Sequence, residues 1–233
     1  MVLNMEELKR LELLIGEEGI EKLNNLKVLI IGLGGVGSYA VESLSRSGIN
    51  NLIIVDKDTI DITNLNRQLM TLHSNIGKYK TDVLEERIKD INPNCKVTKI
   101  TKEIDDKNIK ELIDLKPDYI IDACDSLIVK KELIRLSLKN DFKLISSMGT
   151  GNRMIPKFEI MDLRKTNYDP IAKILRKMLK DEKINKKIMV VSSNEKVIRK
   201  GGTIGSNSFV PATAGLLLSS YVINDCLGVK YGK

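Results

Sequence analysis

Gly32-Leu33-Gly34-Gly35-Val36-Gly37 constrains this chain more than any other stretch. It directly follows the apolar run Lys27 to Ile31, which reads as a strand buried on both faces. It opens a helix expected over Val36 to Ser47, which Gly48 stops. Glycines between a strand and a helix permit a tight turn and close backbone approach to phosphate. The helix N-terminus then supplies unpaired N–H groups and the positive end of a dipole. Asp56 ends the second apolar run, Leu52 to Val55, about 20 residues on, where a carboxylate can accept hydrogen bonds from ribose hydroxyls. The bland alternative is a glycine turn that serves only helix–sheet packing. The turn by itself does not separate NAD from ATP, because both carry ribose and phosphates.

The same alternation continues along the chain. Helices are expected over 78–91, 105–115 and 128–139, and strands over 96–101, 119–121 and 143–147. Residues 5–24 read as an amphipathic opening helix broken near Gly16 and Gly19. Beyond Gly149 the pattern loosens. Strands are expected over 157–162 and 188–191, a helix over 169–180, and a polar loop over 195–208. Strands alternating with helices imply an α/β, Rossmann-like fold. Its sheet is mostly parallel and flanked by helices, with an antiparallel extension in the C-terminal part. The 233 residues suit one domain. Within it, 1–148 reads as a nucleotide-binding core, and 149–233 as a substrate-binding extension with a closing helix.

The segment after Asp56 points toward ATP. It carries Asp58, Asn64, Arg67 and Gln68, then Gly77 and Lys80. Hydride transfer does not need Asn, Arg and Lys clustered after the ribose-binding acid. Charge developing on an α-phosphate and on departing pyrophosphate does. Asp122 and Asp125 end the fourth strand, the sheet edge where ligands of such folds bind, and a carboxylate there can hold Mg²⁺ on phosphates. Each residue has a plain alternative: Arg67 and Lys80 as surface charges, Asp125 as a helix N-cap.

These motifs together resemble the ubiquitin-activating superfamily, which includes the ThiF-type activators of sulfur-carrier proteins. The pattern is G-L-G-G-V-G-S, V-D-x-D with N-x-N-R-Q, G-x-x-K, I-N-P and I-D-A-x-D, and it covers Leu8 to about Ser147. The resemblance implies ATP-dependent adenylation of a carboxylate by a single ThiF-type domain. It implies that Gly32, Gly34, Gly35 and Gly37 bed the nucleotide beside Asp58 and Gln68, and that Asp56 holds the ribose. Asn64, Arg67 and Lys80 would hold the triphosphate, and Asp125 would hold Mg²⁺. Arg10 matches an arginine that such enzymes supply from a partner subunit, which implies a homodimer.

The second half resembles one branch in particular, the tRNA threonylcarbamoyladenosine dehydratases. Carrying it are Ser146-Ser-Met-Gly-Thr-Gly-Asn152, Asp162-Leu-Arg-Lys-Thr166 with Asp169-Pro-Ile-Ala172, and Ser206-Asn-Ser-Phe-Val-Pro211. That resemblance implies a tRNA substrate bearing threonylcarbamoyladenosine, whose carboxylate is adenylated before ring closure. It also implies a cysteine desulfurase or sulfur carrier as a further partner. The competing reading is activation of the C-terminal glycine of a ubiquitin-like sulfur carrier. Non-catalytic nucleotide binding and NAD-dependent hydride transfer fit the residues less well.

Charge and cysteines narrow the classes further. The net charge is +7, and the window 171–200 carries all of it, with ten Lys or Arg against three acids. That window reads either as a solvated helix face or as a patch for RNA phosphate. Cys95, Cys124 and Cys226 form no C-x-x-C pair, which excludes a zinc ribbon, and an odd count fits a reducing cytoplasm. The N-terminus does not read as a signal peptide. Val210 to Leu227 is apolar but interrupted by Ser219, Ser220, Asn224 and Asp225, so it is expected as a closing helix rather than a membrane insertion. His73, the single histidine, and Cys124 are expected to be structural rather than catalytic.

Overall fold

The structure, a computed structural model, describes residues 6–198 and 202–229. Its elements follow the expected alternation: β1 (Lys27–Ile31), α2 (Gly37–Arg46), β2 (Asn51–Val55), α3 (Lys80–Ile91) and β3 (Lys96–Ile100). Then come α4 (Ile109–Ile113), β4 (Tyr119–Asp122), α5 (Leu127–Ser137) and β5 (Lys143–Ser147). The C-terminal part adds β6 (Glu159–Asp162), α6 (Pro170–Asp181), β7 (Met189–Ser192) and α7 (Phe209–Cys226). Helix α1 (Lys9–Asn25) precedes them all and kinks at Gly16, whose φ of 74° suits glycine. Gly19, the other expected breaking point, lies within α1.

All seven strands share one sheet in the order β3-β2-β1-β4-β5-β7-β6. Every neighbouring pair is parallel except β6–β7, which runs antiparallel and is the expected C-terminal extension. The parallel strands are buried on both faces because side chains alternate across the sheet. In β1, Val28 and Ile30 join the core beneath α2, α3 and α7, whereas Leu29 and Ile31 join the core beneath α4, α5 and α6. Full burial of each such side chain contributes roughly 1.5–3 kcal/mol, which is why these strands read as unbroken apolar runs.

Register places the site. Ile31 pairs with Val55 on one side and with Asp122 on the other, and Asp122 pairs with Ser146. The loops that leave these strand ends therefore emerge along one edge. This is also where strand order reverses, between β1 and β4, the switch point at which open α/β sheets take ligands.

Helix α7 closes the face above β4, β5, β6 and β7, beside α2. Val210, Ala214, Leu218 and Val222 recur at helical spacing and are fully buried. Gly215 lies against α2, where a Cβ would come within 2.2 Å of the Val36 carbonyl oxygen. Among the described residues, no helix is long and apolar enough to cross a membrane.

One expected element is much shorter than its sequence suggests. The helix expected over 105–115 is confined to Ile109–Ile113. The Asp105 carboxylate accepts from the Lys107 and Asn108 amides at 2.9 and 3.0 Å, and the Asn108 side chain accepts from the Asp105 amide. This reciprocal pairing is a capping box, which satisfies first-turn amides that have no partner within a helix, and the Ile109 amide donates to the Asp105 carbonyl at 3.1 Å. The loop expected after Asp56 contains two 3₁₀ turns, Ile62–Asn64 and His73–Asn75, and a bridge from Thr59 to Tyr79.

Candidate active site

A cleft of about 640 Å³ opens at the aligned strand ends. Of the residues expected to bind nucleotide, Gly32, Gly34, Gly35, Asp56, Asp58, Asn64, Arg67, Gln68, Lys80 and Asp125 all line it. They come from three separate connections, β1 to α2, β2 to α3 and β4 to α5, so the sheet register brings them together.

The glycine turn forms the floor. Gly32 has φ +88°, and a Cβ there would strike the Cys124 amide nitrogen at 2.8 Å. The amides of Gly34, Gly35 and Val36 make no hydrogen bond to the described residues, and they lead into the N-terminus of α2. Unpaired amides at the positive end of a ten-residue helix form a seat for an anion. Gly37 does not line the cleft. A Cβ on it would lie 1.8 Å from the Gly32 carbonyl oxygen, so its lack of a side chain serves the strand-to-helix packing instead.

Asp56 is tied to that turn. One carboxylate oxygen accepts from the Leu33 amide at 2.7 Å, and the other from the Asp58 amide at 2.9 Å. Each oxygen keeps a second lone pair for an incoming hydroxyl. Lys80, the first residue of α3, is only 4% exposed. Its Nζ lies 2.8 Å from Asp58 Oδ2 and 3.8 Å from Asp56 Oδ2. Two carboxylates thus hold a buried cation at the cleft wall before any ligand arrives. This meets the condition under which a buried charge is tolerated.

Asn64 ends the first 3₁₀ turn, and Arg67 lies on the turn that follows it. Asp61 caps that turn, and Asn64 Oδ1 returns a bond to the Asp61 amide. Arg67 Nη1 donates to the Thr63 carbonyl at 2.7 Å and to Asn66 Oδ1 at 3.1 Å. Its remaining N–H groups stay available to the cleft. Gln68 is buried, and its Oε1 has no hydrogen-bond partner in the structure. An orphaned acceptor of this kind costs roughly 1–3 kcal/mol unless a ligand or water satisfies it.

Asp125 and Asp122 play different parts. Asp125 is exposed in the loop after β4 and does not cap α5, because Ser126 does so through the Val129 amide. Its carboxylate makes no hydrogen bond or ion pair with the described residues. Asp122 is fully buried. It pairs with Lys130 at 2.9 Å, and Lys130 also donates to the Ser147 carbonyl at 2.9 Å. Burial works against the Lys130 charge, but the Asp122 carboxylate beside it outweighs that effect and raises its pKa. Asp122 is thus committed inside the fold. Cys124 Sγ lies 3.1 Å from Asp122, and burial together with that carboxylate pushes its thiol pKa up, away from a reactive thiolate.

Among the described residues no group of three or more His, Cys, Asp or Glu side chains could hold a metal. A magnesium ion here would depend on Asp125 with phosphate oxygens and water, the usual arrangement for Mg²⁺ on a nucleotide. The free amides, the orphaned Gln68 oxygen and the free Asp125 carboxylate fit a magnesium-bound nucleotide. Arg10 does not line the cleft of its own chain, and neither does His73. The sequence gives no role to Lys130, and to Thr150 only a place in the stretch from Ser146 to Asn152 that carries the resemblance. Lys130 falls on the buried face of α5 with Leu133, Ile134 and Ser137, where a cation signals a buried partner. Thr150 lies between Gly149 and Gly151, a setting that by itself names no role.

Comparison with known proteins gives a consistent result. A family model described as the ThiF family matches residues 8–155. The chain is 42% identical to the tRNA threonylcarbamoyladenosine dehydratase of Bacillus subtilis, over 96% of this chain and 95% of that one. A crystal structure of Escherichia coli tRNA N6-threonylcarbamoyladenosine dehydratase, TcdA, in complex with AMP superposes with a TM-score of 0.92. The identity is 30%, covering 98% of this chain and 97% of the other. The same enzyme in complex with ATP gives a TM-score of 0.92 at 31% identity over the same shares. The molybdopterin-synthase adenylyltransferase of Escherichia coli is 33% identical over only 50% of this chain and 46% of its own.

Proposed function

Because this chain belongs to the ThiF family, we propose that its cleft binds ATP and that the chain catalyses ATP-dependent cyclisation of threonylcarbamoyladenosine in tRNA, with loss of water. The observation that carries this reading is the convergence of four groups on one cleft. These are the free amides of the glycine turn, the buried Lys80, Arg67 and the uncommitted Asp125. Such a set neutralises a polyphosphate and the charge that develops on it. The carrier-activating alternative is disfavoured because likeness to such an enzyme covers half the chain, whereas likeness to the dehydratases runs nearly end to end.

A carboxylate is a poor acyl donor because its oxygen is a poor leaving group. Attack of that oxygen on the α-phosphorus of ATP forms an acyl-adenylate and expels pyrophosphate. A neighbouring nitrogen or oxygen of the same nucleoside then attacks the acyl carbon, AMP departs, and a proton is released. In this scheme the turn amides and α2 would bind phosphate, and Asp56 would orient the ribose. Arg67 and Lys80 would offset charge on the leaving pyrophosphate. Asp125 would hold Mg²⁺, which supplies Lewis-acid polarisation of the phosphates. Ring closure is intramolecular, with a large effective concentration, so no enzyme nucleophile is required. The raised Cys124 thiol pKa agrees with that.

Two further parts of the proposal concern assembly and place. Arg10 would complete the site of a second copy in a homodimer, and a tRNA substrate puts the enzyme in the cytoplasm. The deciding experiment supplies ATP, Mg²⁺ and tRNA carrying threonylcarbamoyladenosine. The expected product is a nucleoside lighter by one water, with AMP and pyrophosphate in equal amounts. Unmodified transcript should yield none of these. Adenylation of a ubiquitin-like carrier while modified tRNA stays unchanged would overturn the reading.

A further inference from the structure

Among the described residues, Thr150 is the one cleft-lining residue that comes from beyond residue 148. Its hydroxyl makes no hydrogen bond to the described residues, so it is free to meet a ligand. Its place in the sheet edge is informative. The glycine turn follows β1, Asp125 follows β4, and Thr150 follows β5, in that spatial order. Neighbouring strands lie roughly 4.8 Å apart, so the end of β5, which leads to Thr150, lies roughly 10 Å from the end of β1, which leads to the phosphate seat, with the end of β4 between them. A substrate that approaches from the C-terminal part meets Thr150 on the far side of Asp125.

The main chain around Thr150 is held from within by a buried ion pair. Arg153 and Asp169 have side chains that are 0% exposed, with Nη2 and Oδ2 at 3.3 Å. Both polar groups of the Gly149 backbone are bound to this pair. Its amide donates to Asp169 Oδ2 at 2.9 Å, and its carbonyl accepts from Arg153 Nε at 3.0 Å. Arg153 also donates to the Glu195 carbonyl, and Asp169 Oδ1 caps α6 by accepting from the Ala172 amide at 2.9 Å. The glycines on either side of Thr150 fit this packing. A Cβ on Gly149 would lie 3.0 Å from Asp169 Oδ2, and one on Gly151 would lie 2.2 Å from the Ile204 side chain. A buried charge pair with this many satisfied bonds fixes one arrangement more than it adds net stability.

Resting on the function proposed above, we propose that Thr150 contacts the acyl substrate, and that the buried Arg153–Asp169 pair is the positioning device that holds it against the cleft. The pair also joins the cleft to α6, since Asp169 serves both. Thr150 touches substrate; Arg153 and Asp169 act through it.

The test combines turnover of modified tRNA with direct titration of ATP onto the free enzyme. Thr150→Val removes only the hydroxyl and should lower kcat/KM for modified tRNA about tenfold, the worth of one hydrogen bond, with ATP affinity unchanged. Thr150→Ser restores the hydroxyl and should recover most of that loss. Arg153→Lys keeps the charge but not the planar fork and should show a loss of the same kind. The T150V/R153K double variant should be no worse than the poorer single variant, because one residue acts through the other. If R153K does not fold, Asp169→Asn takes its place in the cycle, since Asn can still cap α6. Full activity in T150V, an equal fall in ATP affinity, or losses that multiply in the double variant would each overturn the inference. Wild-type enzyme inert on modified tRNA would instead overturn the proposed function, and this inference with it.

Discussion

At the residue scale, two carboxylates three positions apart have opposite fates. Asp125 is exposed and uncommitted in the cleft, whereas Asp122 is buried against Lys130. Asp125→Ala should therefore lower turnover by at least an order of magnitude while leaving the unfolding midpoint near its wild-type value. Metal-assisted charge stabilisation is worth several kcal/mol, and the folded chain makes no use of this carboxylate. Turnover and thermal unfolding of the same preparation check this. Lys130→Met should do the reverse in stability. It leaves a carboxylate buried without its cation, which costs about 3–5 kcal/mol. The K130M/D122N pair should recover much of that in chemical denaturation, because the uncompensated charge is gone. The sequence offers both as strand-end carboxylates and does not separate them, because burial of Asp122 depends on a lysine from the next helix, which also bonds a carbonyl of the next strand.

Helix α6 is the element whose sequence left two readings open. Lys173, Lys177 and Lys180 recur at helical spacing and are exposed, and Lys183 and Lys187 follow beyond the helix. None of the five forms an ion pair with a described carboxylate. Arg176 and Lys186, by contrast, are used inside the fold, on Thr166 and on the Ser137 carbonyl. Arg199 and Lys200 lie outside the described residues. The basic window thus divides into free lysines and structural cations, a division that charge counting does not show. Replacing Lys177, Lys180 and Lys183 by Ala should make the slope of log tRNA affinity against log salt shallower. The expected change is about 0.7–0.9 for each phosphate that is no longer neutralised. Titrations at three or more salt concentrations measure it, and an unchanged slope returns this face to simple solvation.

For the whole molecule, the placing of Arg10 bears on how many chains make one site. The cleft gathers cations from its own chain, Lys80 and Arg67, while Arg10 lies on α1 away from it. Leu13 and Leu14 are 74% and 81% exposed on the same helix, just before the Gly16 kink. A helix that presents apolar side chains beside the unused arginine suits burial against a second copy. Mixing Arg10→Ala with Asp125→Ala, each inactive alone, should restore about a quarter of wild-type activity, from the one intact site in each hybrid dimer. A monomeric mass with full activity would exclude a shared site.

What the sequence determined by itself is local. The strand, glycine turn and helix at 27–47 and the acid at Asp56 follow from periodicity, glycine spacing and short range along the chain. The polar side chains of Asp105 and Asn108 cap their own backbone just ahead of α4, also a local pairing. Tertiary structure alone decided which charged residues meet. The register Ile31–Asp122 and Asp122–Ser146 sets loops far apart in sequence along one edge. Burial commits Asp122, Lys130, Arg153 and Asp169 to one another rather than to solvent. A charge shows its partner only when the chain has folded, because the favourable geometry and the loss of water both arise from residues distant in sequence.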